Sequence, residues 1–134
     1  SREEEQELVY HMVEQVGVSR DQLKKFPHEI SGGQAQRISI ARTLVLEPKL
    51  LICDEPTSML DISVQAQVLS ILKEINERRK LTVLYISHDL DVISAICHRV
   101  AVMKDGEIVE MGETKQIFSH PEHDYTKQLL AAKM

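Results

Sequence analysis

The sequence predicts an α/β fold with parallel strands and flanking helices. Two observations lead to this prediction: the first 46 residues carry only helical patterns, and short apolar runs alternate with helical stripes from residue 50 onward. Alternation of strand and helix favours a parallel sheet, because parallel neighbours need a crossover connection. The 134 residues, 43% of them hydrophobic, match one ordinary globular domain rather than a disordered tail.

The first elements are helical. Apolar residues within positions 8–16 recur at helical spacing, and Gly17 follows where a left-handed C-cap residue is expected. Ser19 with Gln22 three residues later predicts a capping box for a short second helix, which Pro27 ends.

A third helix and the first strand come next. The helix is predicted to begin at Gly32-Gly33 and to end before Pro48, whose ring disfavours helical geometry at the residue before it. Residues 50–53 form a continuous apolar run and predict a fully buried parallel strand, with Asp54 and Glu55 at its carboxyl end.

The second half alternates between the two patterns and then ends in a hairpin and two short helices. Asp105-Gly106 is a strong hairpin signal between two apolar strands. The predicted elements are a helix over 64–75, a strand over 82–86, a helix over 90–96, strands over 99–103 and 107–111, and helices over 114–119 and 124–132.

Composition excludes several classes of protein. The net charge of -5 argues against nucleic acid as a partner. The sequence contains no run of about 18 apolar residues of the kind that inserts into a membrane. The two cysteines match neither a disulfide framework nor a zinc site, which favours reduced core thiols in a cytosolic protein. The charged helical opening suggests a chain cut from something longer.

Four short motifs follow one another in a specific order. The turn Ser31-Gly32-Gly33-Gln34 precedes the apolar run that ends in Asp54-Glu55, and the segments at 56–61 and 85–89 come after it. Taken singly, three of them have an ordinary explanation: a Ser-capped turn at 31–34, a strand leaving the core at 50–55, and a solvated histidine at 88. Together they resemble the signature motif, Walker B motif, D-loop and switch-histidine loop of ABC ATPases.

The resemblance implies a fold and a division of the chain. It implies a partial P-loop NTPase core of the ABC ATPase type, with parallel strands and flanking helices, preceded by part of a helical subdomain. Residues 1–46 would belong to the helical signature subdomain, residues 47–112 to the RecA-like core, and residues 113–134 to a C-terminal helical tail.

The resemblance also implies site residues for ATP and Mg²⁺. Asp54 would organise the metal, Glu55 would polarise the attacking water and His88 would bond the γ-phosphate. Around the nucleotide, backbone N–H groups at a helix start would contact phosphate. The residues expected there are Ser31, Gly32, Gly33 and Gln34, together with Asp61 at a dimer interface. Gln34 would cap its helix or touch the nucleotide.

One departure from the family pattern is large. No stretch of the 134 residues reads G-x-x-x-x-G-K-[ST], the phosphate-binding loop. In the family the signature segment covers ATP held by a second ABC ATPase subunit, and transmembrane permease subunits are the other partners. We therefore expect an ATPase subunit that lies on the cytoplasmic face of the cell membrane without inserting, and a 134-residue chain that is inactive by itself.

Residues 26–29, 63–69 and 120–130 resemble the oligopeptide, dipeptide and nickel importers, which implies uptake of peptides or nickel. Two other functions stay open: a soluble ABC ATPase that acts outside transport, and a non-catalytic remnant that binds a partner through residues 4–46. A metal site at His120 and His123 is a poor prospect, because Pro121 separates them and no further ligand is near.

Overall fold

The computed structural model describes residues 1–58 and 60–132, which form two compact units, Ser1–Leu84 and the residues from Tyr85 onward. Met59 in the predicted D-loop and the last two residues of the predicted tail lie outside the described part. The elements are α1 (Arg2–Gln15), α2 (Gly32–Leu44), β1 (Leu50–Asp54), α3 (Ile62–Arg79), β2 (Thr82–Ile86), α4 (Leu90–Ile96), β3 (Arg99–Lys104), β4 (Glu107–Glu113), α5 (Thr114–Ser119) and α6 (Asp124–Ala131).

The first helix ends as its sequence predicts. Gly17 adopts a left-handed φ of 71°, which a residue without a side chain reaches at no steric cost. The predicted second helix is a short 3₁₀ helix, Arg20–Lys24, before which Ser19 N–H donates to Gln22 Oε1 at 2.9 Å. Arg20 ties this turn back to α1 through Glu14, with 2.7 Å between Nε and Oε1.

The helix α2 begins and ends where the sequence predicts. It starts at Gly32 and finishes at Leu44, four residues before Pro48. Glu47, which precedes that proline, has a φ of 47° and is therefore outside the right-handed helical region. The helix buries Ile40, Ala41 and Leu44 against its neighbours α1 and α3.

The strands β1 and β2 are parallel neighbours in one sheet, joined by the 18-residue helix α3. The prediction that residues 50–53 are fully buried is wrong. Leu51 and Cys53 are 6% exposed, whereas Leu50 and Ile52 are 51% and 59% exposed. Successive side chains point to opposite faces of a strand, and among the described residues only one face of β1 is covered.

The first unit's core lies between its three long helices and one face of the sheet. It consists of apolar side chains from α1, α2, β1, α3 and the segments beside them: Met12, Val13, Val16, Val18, Ile40, Ala41, Leu44, Leu51, Cys53, Val68, Leu72, Ile75 and Leu81.

The second unit is built on the predicted hairpin. The strands β3 and β4 pair antiparallel from Arg99 opposite Glu113 to Lys104 opposite Glu107. Asp105 and Gly106 both have positive φ, at 50° and 84°, as a two-residue type I′ turn requires. The two predicted short helices follow as α5 and α6.

A carboxylate on β4 fastens the tail of the second unit. Glu110 accepts hydrogen bonds from the backbone N–H groups of Glu122 and His123 at 2.8 and 3.1 Å. Both donors precede α6, so a single side chain fixes the start of that helix. The predicted domain boundaries at residues 46 and 112 stay predictions. In the part of the chain that is described, no helix is long and apolar enough to cross a bilayer.

Candidate functional site

The start of α2 presents two backbone donors from glycines. Ser31 N–H donates to Gln34 Oε1 at 3.1 Å, and Gln34 N–H donates to Ser31 Oγ at 3.2 Å, which completes a capping box. The other two N–H groups of the first turn, which have no acceptor inside the helix, belong to Gly32 and Gly33. Gln34 therefore caps the helix, one of the two roles predicted for it.

The second glycine also permits a close contact between helices. A Cβ placed on Gly33 would lie 2.1 Å from Val64 Cγ1, a separation that real side chains do not show. A Cβ on Gly32 would stand 3.5 Å from Leu60 Cδ2, which is ordinary contact. The predicted signature turn is thus packed directly against the beginning of α3.

Arg37 is a bridging residue that the sequence analysis missed. Its guanidinium hydrogen bonds the side chain of Gln67 on α3 and donates to Gly17 O, beyond the end of α1, at 3.4 Å. The signal was present in the sequence, because Arg37 falls on the same helical stripe as Gly33, Ile40 and Leu44, which are buried. A charged residue on an apolar stripe indicates a specific polar partner.

The two carboxylates predicted for the reaction lie at the end of β1. Asp54 is the last residue of the strand and is exposed. Glu55 has already left the strand, with a left-handed φ of 47°. The alternation of side chains between the two faces of β1 therefore stops at Asp54 and does not determine the direction of the Glu55 side chain.

The turn that holds Glu55 is closed by local bonds. Ser58 N–H and Ser58 Oγ both donate to Glu55 O, at 3.3 and 3.1 Å, and Thr57 beside them is buried. A glutamate with positive φ is uncommon and costs roughly 1–3 kcal/mol, a strain that concentrates at functional sites in proteins. Glu47, Lys80 and Asp105 also have positive φ, so this angle by itself does not mark Glu55 as catalytic, and the role of Glu55 remains a prediction.

Asp61 acts as the N-cap of α3. Its Oδ1 accepts from Val64 N–H at 3.0 Å and from the Ser63 hydroxyl at 2.8 Å. These hydrogen bonds, first that of Val64 and then that of Ser63, lower the pKa of Asp61 below its ordinary value. Asp61 and Ser31 thus cap two helices whose first turns are in contact.

His88 belongs to the second unit. It is exposed and lies between β2 and α4, where Asp89 caps α4 by accepting from the N–H groups of Asp91 and Val92 at 2.9 and 3.2 Å. Its predicted role toward the γ-phosphate remains a prediction.

Within the described residues, no three histidines, cysteines or carboxylates are grouped to hold a metal ion. The donor chemistry fits Mg²⁺ better than a protein-caged metal: Asp54 offers one exposed carboxylate, and Mg²⁺ commonly binds through one or two carboxylates, waters and substrate phosphates. Burial raises the pKa of the Cys53 thiol to about 11, which makes it a poor ligand at neutral pH.

Known sequences match this chain along almost its whole length. The profile of the family described as ABC transporter matches residues 1–58. The oligopeptide transport ATP-binding protein OppF of Mycoplasma pneumoniae is 50% identical over 124 residues, 92% of this chain and 15% of that protein. OppF of Streptococcus pyogenes serotype M1 is 48% identical over 132 residues, 98% of this chain and 43% of that protein.

Solved structures give the same result. A dimeric post-hydrolysis state of the ATP-binding cassette MJ0796 bound to ADP and Pi aligns with a TM-score of 0.74 and 30% identity, over 85% of this chain and 49% of that one. The cbiO1 protein from Clostridium perfringens, part of the ABC transporter complex cbiONQ, aligns with a TM-score of 0.80 and 32% identity. The alignment covers 90% of this chain and 47% of that one. The predicted ABC ATPase fold class is confirmed, and the chain spans less than half the length of these relatives.

Proposed function

We propose, on the premise that this chain belongs to the ABC transporter family of ATP-binding proteins, that it is part of an ATP-hydrolysing subunit that powers import of short peptides. The strongest support is the identity of about half its residues with OppF proteins that are named for oligopeptide transport. Nickel, the other substrate inferred from the sequence, has no such support among these relatives.

The start of α2 is suited to phosphate. Gly32 and Gly33 offer two N–H groups at a helix start, and neither carries a side chain that would obstruct an approaching anion. In the family this turn faces ATP held by a second subunit. We propose the same arrangement, with Ser31 and Gln34 maintaining the turn through their capping box.

The carboxylates supply the remaining chemistry. Phosphoryl transfer needs positioned donors, a divalent metal and a group that orients water. Asp54 would hold Mg²⁺ through a coordinated water, and Glu55 would accept a proton from the attacking water. His88 would hydrogen bond the γ-phosphate, and Asp61 would lie beside the interface between subunits. Mg²⁺, when bound, would offset negative charge on the phosphate oxygens.

The proposed partners follow from the same premise. A second ABC ATPase subunit would complete each nucleotide site, and permease subunits would carry the peptide across the bilayer. The subunit would lie on the cytoplasmic face of the membrane through those permeases.

Glu55→Gln in the complete protein that contains this chain tests the proposal. We expect ATP to bind as before and hydrolysis to fall by roughly 10²-fold or more, the loss typical of a missing general base. Glu47→Gln is the matched control, because Glu47 is an exposed glutamate with the same φ of 47°. Normal turnover by Glu55→Gln, or an equal loss in both variants, would exclude this role for Glu55.

The 134-residue chain alone should neither bind Mg-ATP tightly nor hydrolyse it. Its sequence has no phosphate-binding loop, so Asp54 and Glu55 would face the anionic phosphates without a lysine and a cradle of N–H groups to balance them. Calorimetry and a phosphate-release assay on the purified chain check this. Micromolar binding with turnover would show that the missing loop is not needed.

The substrate is tested by uptake in a strain that lacks the gene. We expect loss of oligopeptide import with sugar and amino-acid import intact. Intact peptide uptake together with loss of another nutrient would contradict the peptide assignment and leave the ATPase proposal standing.

A further inference from the structure

We propose that Arg37 is a positioning residue that fixes the distance between the glycine turn at Ser31–Gln34 and the turn capped by Asp61. This inference rests on the proposed function, in which both turns serve the nucleotide site. Arg37 would contact neither ATP nor metal. It would act through the contact between α2 and α3.

The contacts between these two helices occur in matching order along both. Gly33 meets Val64 near the start of each helix, and Arg37 reaches Gln67 one turn further on in each. At the far end, Arg79 Nη1 of α3 donates to Leu44 O of α2 at 3.3 Å. The order shows that α2 and α3 run side by side in the same direction, so their capped first turns lie at the same end.

Of the two hydrogen bonds described between α2 and α3, that of Arg37 lies nearer the first turns than that of Arg79. Arg37 lies one helical turn beyond Gly33, and its two terminal nitrogens reach two different elements: Gln67 on α3 and Gly17 O after α1. A planar fork with several donors can hold two partners at once, whereas the single ammonium of lysine fixes such a pair less firmly. The side chain therefore connects α2, α3 and the segment after α1 one helical turn beyond the glycine turn.

Stability alone does not explain an arginine here. Arg37 Nε is buried and has no hydrogen-bond partner among the described residues. A buried donor without a partner is destabilising, and an apolar side chain of similar length would avoid that loss while filling the same stripe of α2. An arginine at such a position is consistent with a positional role.

The test uses Arg37→Lys, Gln67→Glu and the double variant in the complete protein, with Arg42→Met as the matched control. Arg42 is an exposed arginine on the same helix, five residues further on. Lysine should let the glycine turn shift relative to α3, and a displacement of about 1 Å at a reacting site can cost up to 10²-fold in rate. We expect Arg37→Lys to lower kcat about 10-fold, with nucleotide affinity of the single subunit unchanged.

Rescue separates positioning from general destabilisation. In the double variant the introduced carboxylate would pair with the introduced ammonium across the two helices, so this protein should recover most of kcat. The control Arg42→Met should keep the wild-type rate. The proposal is overturned if Arg37→Lys keeps its kcat, if the double variant shows no recovery, or if Arg42→Met loses as much activity.

Amide hydrogen exchange distinguishes failure of this inference from failure of the proposed function. We expect Arg37→Lys to speed exchange in the first two turns of α2 and α3, and the addition of Gln67→Glu to reverse the change. If the unmodified protein does not hydrolyse ATP, the proposed function is wrong, and the exchange rates alone then test whether Arg37 couples the two turns. Unchanged exchange in Arg37→Lys would overturn the proposed role of Arg37.

Discussion

Gly33 on α2 lies so close to Val64 on α3 that a Cβ on the glycine would come within 2.1 Å of Val64 Cγ1. This contact, rather than an unusual backbone conformation, requires glycine at position 33, because Gly33 is not among the residues with positive φ. The two glycines of the turn therefore differ: Gly32 is exposed with room for a methyl group, and Gly33 is wedged between helices.

Gly33→Ala should destabilise the fold, while Gly32→Ala should have an effect near zero. The added methyl at position 33 overlaps Val64 and forces α2 and α3 apart, at a cost of about 1–3 kcal/mol typical of overpacking. Chemical unfolding followed by circular dichroism measures both variants.

Val64→Ala in the Gly33→Ala background provides the control. Removing the Cγ atoms should relieve the overlap, so the double variant should be more stable than Gly33→Ala alone. Equal stability of Gly33→Ala and Gly32→Ala would show that the helices can separate freely at this point.

Arg79→Met should be more destabilising than Arg78→Met. Arg79 donates to Leu44 O at the end of α2 and to Gln15 Oε1 on α1 at 2.9 Å, and so caps one helix while contacting another. Its loss should cost about 1 kcal/mol. Arg78 bonds only Glu74 among the contacts described, one turn earlier on the same helix, a surface pair worth about 0.3–0.5 kcal/mol. Urea midpoints of the two variants measure the difference, and a reversed order would contradict the capping role.

The stability that Asp61 provides should depend on pH. Its folded pKa is lowered, so the ionised side chain stabilises α3 fully above the unfolded value of 3.8, and that stabilisation is lost as the pH falls through the lower folded value. Asparagine also caps helices but does not ionise. Between about pH 5 and pH 2, the free energy of unfolding of the wild type should therefore fall relative to that of Asp61→Asn as acid is added. A constant difference would mean that the cap bonds do not favour the carboxylate.

Cys53 should resist alkylation in the folded protein. With a pKa of about 11 set by burial, only about one thiol in a thousand is ionised at pH 8. The rate of reaction with a thiol reagent, measured on Cys97→Ser so that Cys53 reacts alone, should rise by orders of magnitude on unfolding. Fast reaction under native conditions would contradict the buried position of Cys53 on β1.

Sequence reasoning succeeded where a few neighbouring residues decide the structure. The start of α2 depends on Ser31 and Gln34, three residues apart, and the hairpin turn depends on Asp105 and Gly106 alone. Both were predicted correctly because the relevant hydrogen bonds and backbone angles are local.

The same reasoning failed where distant segments decide the structure. An apolar run does not reveal that Ile52 is 59% exposed, because that depends on which segments cover each face of β1. Nor does it reveal the bond from Arg37 to Gln67, which lie 30 residues apart and meet only once α3 has returned alongside α2. The nucleotide, metal and catalytic assignments at Ser31–Gln34, Asp54, Glu55, Asp61 and His88 stay predictions, since they concern bound groups that the fold alone does not determine.

The common direction of α2 and α3 has an electrostatic consequence. The peptide dipoles of a helix add to about half a positive charge at its first turn, and here two such ends lie side by side. Two adjacent helices of like direction repel each other weakly, which the contacts along their length must outweigh. The same field attracts an anion toward both first turns at once, and added salt would weaken that attraction.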